Sequence, residues 1–354
     1  MIDMNEPLLS IHDLQVHFHT EDGTVEALDG VSMDVGRDEV LGVIGESGCG
    51  KSVTALSTMG LLQSPPAEIV GGTIEYEGRN LLDLSRKEMD QIRGNEIAMI
   101  YQDPMTSLNP VLTVGSQLTE PLLTHTDQSE AEARERAVEM LDACGLADPA
   151  RLMEQYPSEL SGGMRQRIVI AMALVTEPQL LIADEPTTAL DVTIQAQIMD
   201  LLRDLQDRFE MSVLFISHDL GVVSDIADRV AVMYAGTVAE HCSVADLFDN
   251  PLHPYSRALA ESIPSLDTTT ERLPTIEGVV PDLHEPPSGC RFSSRCPQYI
   301  GEVCDAHDPE LTPCGENHEV SCHLYTDVSE ATPPWPVSDP SVNGANEVPT
   351  EENP

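Results

Sequence analysis

Apolar residues fall along this chain in two rhythms. Short unbroken runs rich in Val, Ile and Leu, "VLGVI" at 40–44, "LLIAD" at 180–184 and "VLFIS" at 213–217, predict strands buried on both faces of a parallel sheet. Between them the spacing turns helical. A helical pattern runs from Lys51 to about Leu62, and another follows Ser161. "SEAEARERAVEMLDACG" (129–145) opens on a Ser129/Glu132 capping box and repeats Ala137, Met140, Leu141 and Cys144 on one face. It closes on Gly145, a suitable C-cap, so Cys144 reads as a core residue. "LLSIHDLQVHF" and "VEALDGVSMDV" read as antiparallel strands about an Asp22-Gly23 turn, and "RVAVMYAGTVAEH" as a hairpin turning at Ala235-Gly236.

The punctuation between strand and helix carries chemistry. "VLGVI" runs into Gly45-Glu46-Ser47-Gly48-Cys49-Gly50-Lys51-Ser52, which matches G-x-x-x-x-G-K-[ST] between a strand and a helix. Its glycines let the backbone curl so that N–H groups converge on phosphate oxygens at a helix N-terminus. Lys51 adds a point charge for the terminal phosphates, and the Ser52 hydroxyl suits Mg²⁺. "LLIAD" delivers Asp184 and Glu185 at a strand end, where Asp184 can hold Mg²⁺ and Glu185 can polarise an attacking water. A third element, Leu160-Ser161-Gly162-Gly163-Met164-Arg165-Gln166-Arg167, places an N-cap serine and two glycines at the start of an apolar helix. That is a second anion site, which a single ATP in a single domain would not use.

LSGGMRQR, lying after the phosphate loop and before "LLIADE", resembles the signature of the ATP-binding subunits of ABC transporters. The resemblance implies an α/β fold: a P-loop NTPase core with a flanking antiparallel β-subdomain and an inserted helical subdomain, plus a small Cys-rich C-terminal extension. It also implies that two such domains face head to tail over two molecules of ATP with Mg²⁺. Each domain offers Ser161, Gly162, Gly163 and Gln166 to the nucleotide held by the other. Position by position, Gln102 in "MIYQDP" resembles a glutamine that senses Mg²⁺ and the γ-phosphate. Asp191 resembles the aspartate linking the two sites, and His218 the switch histidine on the γ-phosphate. Phe18 resembles the aromatic that stacks on adenine, a core aromatic being the alternative. Glu185 and His218 are the catalytic pair under this reading.

Composition narrows the setting. The 61 acidic and 18 basic side chains give a net charge of −43, and only Lys51 and Lys87 are lysines. So acidic a surface repels nucleic-acid backbones and anionic lipids. Abundant Asp and Glu with scarce Lys point to a salt-rich, halophilic cytoplasm, where screening relieves self-repulsion. No run approaches the roughly 18–20 apolar residues that span a bilayer, and "MIDMNEPLLS" has no signal-peptide pattern. Any membrane role is therefore expected through partners, at the cytoplasmic face of the cell membrane.

The C-terminal quarter adds "DNPLHPYSRALAESIP", which resembles the extension of oligopeptide/dipeptide importer subunits of the D type; His253 within it reads as a turn histidine. The expected domains are 1–262 for the ATPase, with its helical subdomain at about 103–175, then 263–325 for the extension and 326–354 for an acidic, disordered tail whose one large apolar group is Trp335. Cys290, Cys296, Cys304, Cys314 and Cys322 follow C-x5-C-x7-C-x9-C-x7-C, which leaves a bound metal or free thiols open. The family resemblance implies a 4Fe–4S cluster on Cys290, Cys296, Cys304 and Cys322, with zinc the alternative, Cys314 a spectator, and Arg291 and Arg295 offsetting cluster charge. It implies as partners a related F-type ATPase subunit, two membrane permeases and an extracellular peptide-binding protein. The expected function is ATP-driven uptake of di- or oligopeptides. Nickel or sugar import is the nearest alternative, and a soluble ABC ATPase or a non-enzymatic regulator stands further off.

Overall fold

The computed structural model describes residues 6–102, 107–188, 191–262, 276–315 and 317–326. β1 (Leu9–Thr20) and β2 (Gly23–Val35) pair antiparallel, with Thr20 opposite Gly23. That pairing puts the two-residue turn at Glu21–Asp22, one position before the expected one. The Thr20 hydroxyl donates to the Gly23 carbonyl at 2.8 Å and closes the hairpin there. β3 is Val40–Ile44, and β4 (Ala67–Tyr76) and β5 (Arg79–Asn80) complete a four-stranded antiparallel sheet in the order β2-β1-β4-β5.

A second sheet forms the body of the molecule. Its strands are β3, β6 (Ile97–Ile100), β7 (Leu180–Asp184), β8 (Ser212–Ile216), β9 (Arg229–Tyr234), β10 (Thr237–Ser243), β11 (Thr312–Gly315) and β12 (His318–Val320). They run in the order β11-β12-β10-β9-β3-β8-β7-β6, parallel from β9 to β6. Every residue of β3, β7 and β8 is buried, the result expected of unbroken apolar runs covered on both faces. Alternate residues serve two cores: Leu181, Ala183, Val213 and Phe215 pack into one, Leu180, Ile182, Leu214 and Ile216 into the other.

Helix Lys51–Thr58 follows β3 and stops four residues short of the expected Leu62. Gly60 (φ +57) takes the left-handed position, and the N–H groups of Gly60 and Leu61 bond back to Ser57 and Leu56. These 6→1 and 5→2 bonds cap the helix, and glycine adopts that conformation without steric cost. Between β6 and β7 the chain places helices Val114–His125, Glu130–Ala143, Pro149–Leu152 and Gly162–Leu174. The Ser129/Glu132 capping box is present, and Cys144 is fully buried at the C-cap, with burial pushing its thiol up to about 12.

The C-terminal region is sewn into the main sheet. β12 pairs with β10 at Glu240↔Val320 and His241↔Glu319. The wholly buried Glu240 carboxylate accepts hydrogen bonds from the Leu252 N–H (2.7 Å), the His253 N–H (2.8 Å) and His318 Nε2 (2.8 Å). His253 caps helix Pro254–Glu261, its Nδ1 accepting from the Tyr255 N–H at 3.0 Å. Burial depresses its pKa to about 4 from an ordinary 6.5, the Glu240 charge only partly opposing this. The unfolded chain therefore binds the proton first. Stability is full above pH 6.5 and falls as pH drops to about 4, by on the order of 3 kcal/mol for this residue. A His253→Gln variant should show a shallower decline in urea-unfolding free energy between those pH values. An unchanged slope would deny His253 its part.

The expected acidic tail and the segment 263–275 lie outside the described residues, apart from Thr326.

Candidate functional site

The register of three parallel strands assembles the site. Val43 of β3 pairs with Ile216 of β8, and Asp184 of β7 with Ile216 in turn. The Ser217 N–H donates to the Val43 carbonyl and the Glu185 N–H to the Ile216 carbonyl, so the chain segments leaving β3, β8 and β7 stay level. Gly45, Ser217 and Glu185 thus emerge together at the carboxyl edge of the sheet, where ligands of α/β folds bind.

The phosphate loop curls as its glycines allow. A Cβ at Gly45 (φ +153) would run into the Met233 carbonyl oxygen, so the loop packs against β9 only because that position is glycine. The Lys51 ammonium donates to the Gly45 carbonyl at 2.8 Å and the Glu46 carbonyl at 3.2 Å, and Lys51 is 5% exposed. Ser47, Gly48, Gly50, Lys51, Ser52, Ala27, Val53, Gln102 and Glu185 line a cleft of about 180 Å³. Cys49 is buried beneath the loop, its thiol pushed up by burial against the pull of Lys51. Glu46 turns its carboxylate away from this cleft toward Arg295.

Two carboxylates sit at the loop's edge with pKa shifts of opposite direction. Ser52 Oγ donates to Asp184 Oδ1 at 3.1 Å, and burial raises the Asp184 pKa despite that bond and Lys51. This pair of oxygen donors fits Mg²⁺, which takes oxygen ligands and few protein groups. Glu185 holds a left-handed backbone (φ +48), an uncommon conformation for a side chain of its size. Its carboxylate meets Gln102 Nε2 and Thr188 Oγ1, each at 2.9 Å, and His218 Nδ1 at 3.1 Å. Burial alone would raise its pKa, but the hydrogen bonds from Thr188, His218 and Gln102 and the His218 charge together carry it below the ordinary range. The sequence reading missed Thr188. Its position three residues after Glu185, in "EPTT", is the one signal that could have found it.

The remaining site residues are not among those lining this cleft. Ser161 caps helix Gly162–Leu174, its Oγ accepting from the Met164 N–H at 3.3 Å, and a Cβ added at Gly162 would meet nothing within 4 Å. Gly163 is near Ile194. Gln166, expected at the nucleotide, is instead fully buried and donates its amide to the Pro186 carbonyl, beside Glu185. Asp191 caps helix Val192–Phe209, accepting from the Ile194 N–H at 3.0 Å. Phe18 on β1 pairs with Val25 and Ala67 and packs half-buried against the core; it is not among the residues lining this cleft.

Cys290, Cys296, Cys304 and Cys322 gather around one cavity with about 10 Å³ free to a water molecule, room for a single water. Cys314 stands apart on β11. None of the eight cysteines is in a disulfide. Burial pushes Cys290 and Cys322 up to about 12 and Cys296 up to about 11. Arg291 and Arg295, expected to offset a cluster's charge, are spent on carboxylates, Arg291 on Asp29 and Arg295 on Glu46.

A phosphate loop, an oxygen-donor pair beside it and an engaged glutamate on a parallel sheet define a nucleotide hydrolase. The ABC transporter family model matches residues 28–188, and the oligopeptide/dipeptide transporter C-terminal region model matches residues 239–304. A probable peptide ABC transporter ATP-binding protein of Sinorhizobium fredii is 55% identical over 322 residues, covering 91% of this chain and 96% of that protein. The dipeptide transport ATP-binding protein DppD of Bacillus subtilis is 51% identical, covering 92% and 97%. Among solved structures, the dimeric ATP-binding cassette MJ0796 in a post-hydrolysis state with ADP and Pi matches with a TM-score of 0.60. It is 27% identical and covers 67% of this chain and 98% of that one. The chain belongs to the ATP-binding subunits of the oligopeptide/dipeptide ABC transporter family. It is an ABC ATPase, coupling ATP hydrolysis to transport.

The expected 4Fe–4S cluster is overturned. The matching families and relatives are ATP-binding transport proteins, and nothing in them points to iron–sulfur chemistry. That expectation comes from the family resemblance; the spacing itself is equally that of thiols packed around a water-sized cavity.

Proposed function

We propose that the chain hydrolyses ATP to drive uptake of di- or oligopeptides. The observation that carries this reading is the Glu185 carboxylate, held by Gln102, Thr188 and His218 beside the Ser52–Asp184 pair. Glu185 is ionised at neutral pH and accepts a proton from the water that attacks the γ-phosphate. His218, 61% exposed, presents its ring at the mouth of the cleft to the same phosphate. Ser52 and Asp184 would hold Mg²⁺, which supplies charge neutralisation on the phosphates when bound. Ser161, Gly162 and Gly163 face outward at a helix N-terminus and serve the nucleotide of a second ATPase domain. Gln166 acts behind them, tying that helix to Pro186.

A groove of about 330 Å³, lined mainly by apolar groups including Met59, Leu61, Tyr101, Pro121 and Met172, suits a cytoplasmic helix of a permease. Tyr101 adjoins Gln102, which reaches Glu185, so an occupant of the groove lies one residue from the catalytic carboxylate's partner. No helix among the described residues is long and apolar enough to cross a membrane. Attachment through two permeases at the cytoplasmic face accounts for a membrane role. An extracellular peptide-binding protein and an F-type companion, rather than a second copy of this chain, complete the assembly.

The test is uptake by the full assembly in vesicles. A labelled dipeptide should accumulate with ATP, whereas nickel or a sugar should not. Leu61→Asp should abolish uptake and peptide-stimulated turnover while leaving ATP binding intact. Transport of nickel or sugar instead of peptide would replace the cargo assignment, and undiminished uptake by Leu61→Asp would empty the groove of its role. The net charge of −43 further points to a salt-rich cytosol. The melting temperature should rise from dilute buffer to molar KCl, and a flat response would remove that inference.

A further inference from the structure

We propose that the C-terminal extension is a working part of the nucleotide site, with Arg295 positioning the phosphate loop through Glu46. The proposal rests on the loop's being the ATP site. Arg295 lies 249 positions from Glu46 in sequence, yet its side chain is 4% exposed and every N–H it carries is spoken for. Nη1 donates to Glu46 Oε2 at 2.7 Å and to Tyr234 Oη at 3.1 Å. Nη2 donates to Glu46 Oε1 at 3.1 Å and the Ile276 carbonyl at 3.2 Å, and Nε to the Glu277 carbonyl at 3.0 Å. The guanidinium also lies over the Tyr234 ring, 5.7 Å from its centroid. This is a forked charge-assisted pair in a fixed seat, a geometry that lysine cannot reproduce.

The grip extends to the loop backbone. The Glu46 N–H donates to the Tyr255 hydroxyl at 3.0 Å, and Tyr255 is wholly buried between Tyr234 and Phe292. Arg291 donates to the Ala235 carbonyl at 3.1 Å, and the next N–H, Gly236, donates to the Cys49 carbonyl at 3.0 Å. Glu46 is thus held at its carboxylate and its N–H, and Cys49 at its carbonyl. The Lys51 ammonium leans on the Gly45 and Glu46 carbonyls, within the stretch these anchors fix. A loop with glycine at 45, 48 and 50 has many conformations to lose, and holding it in one removes that cost from nucleotide binding. A mere tertiary bridge would affect folding alone; a positioning role affects ATP affinity.

The experiment measures ATP dissociation constants on the full chain, with turnover of the assembled transporter alongside. Arg295→Lys and Glu46→Gln should each weaken ATP binding about tenfold, and the double variant should be no weaker than either single. Turnover at saturating ATP should stay within about twofold, a change in KM rather than kcat. Unchanged affinity in both single variants would overturn the proposal, whatever the melting temperature does. So would an additive loss of about a hundredfold in the double variant. Should Arg295→Lys fail to fold, Glu46→Gln decides alone, since it alters one atom of a side chain 28% exposed. Lys51→Ala separates the two levels. If it retains ATP affinity, the loop is not the ATP site; if it loses affinity while the other variants keep theirs, only the role of Arg295 fails.

Discussion

Replacing Glu185 by Gln is expected to lower ATP turnover by about 10²–10⁴-fold, the range that a positioned general base contributes. The amide keeps the size of the side chain and can still meet Thr188 and Gln102, but it cannot take a proton. ATP affinity should hold within about twofold, because the hydrogen bonds of this carboxylate go to Gln102, Thr188 and His218 and none to the phosphate loop. The partners of each carboxylate explain why the effect belongs to Glu185 and not to Asp184. Asp184 accepts from Ser52 and is placed to hold Mg²⁺, whereas the Glu185 carboxylate is oriented by Thr188, His218 and Gln102, whose hydrogen bonds outweigh burial and lower its pKa. Single-turnover kinetics on the assembled transporter checks this, and a turnover near that of the unaltered protein would assign the base elsewhere.

The second large effect is expected at the start of helix Gly162–Leu174. Ser161→Arg should abolish turnover of the assembly while sparing ATP binding to the isolated chain. Ser161 caps helix Gly162–Leu174, whose first N–H groups face open space around Gly162. Arginine there loses the cap, at about 1 kcal/mol, and sets a large cation at the positive end of a helix dipole. None of the residues lining this chain's own cleft comes from this helix.

How much of this was legible in the sequence follows from the range of each interaction. The buried strands, the Ser129/Glu132 capping box and the Ala235–Gly236 turn are local, and composition and period specify them. The loop between strand and helix was legible for the same reason. Gln102, Thr188 and His218 converge on Glu185 only through the register of β6, β7 and β8, so a single sequence suggests them one at a time. The burial of Gln166 was not legible, because motif position does not say which face of a helix is buried. The Arg295–Glu46 pair spans most of the chain and leaves no periodic trace. The cysteines show the reverse failure: their irregular spacing leaves metal and thiol open, and the cluster comes from the family resemblance, a reading that the matching families and relatives do not support.

The claim on which the account depends is that one chain supplies its phosphate loop to one nucleotide and its signature helix to another. The direct test is ATP binding and ATP turnover measured side by side for Ser161→Arg. The account predicts unchanged binding to the isolated chain and no turnover in the assembly. Weakened binding in the isolated chain, or full turnover in the assembly, would contradict it.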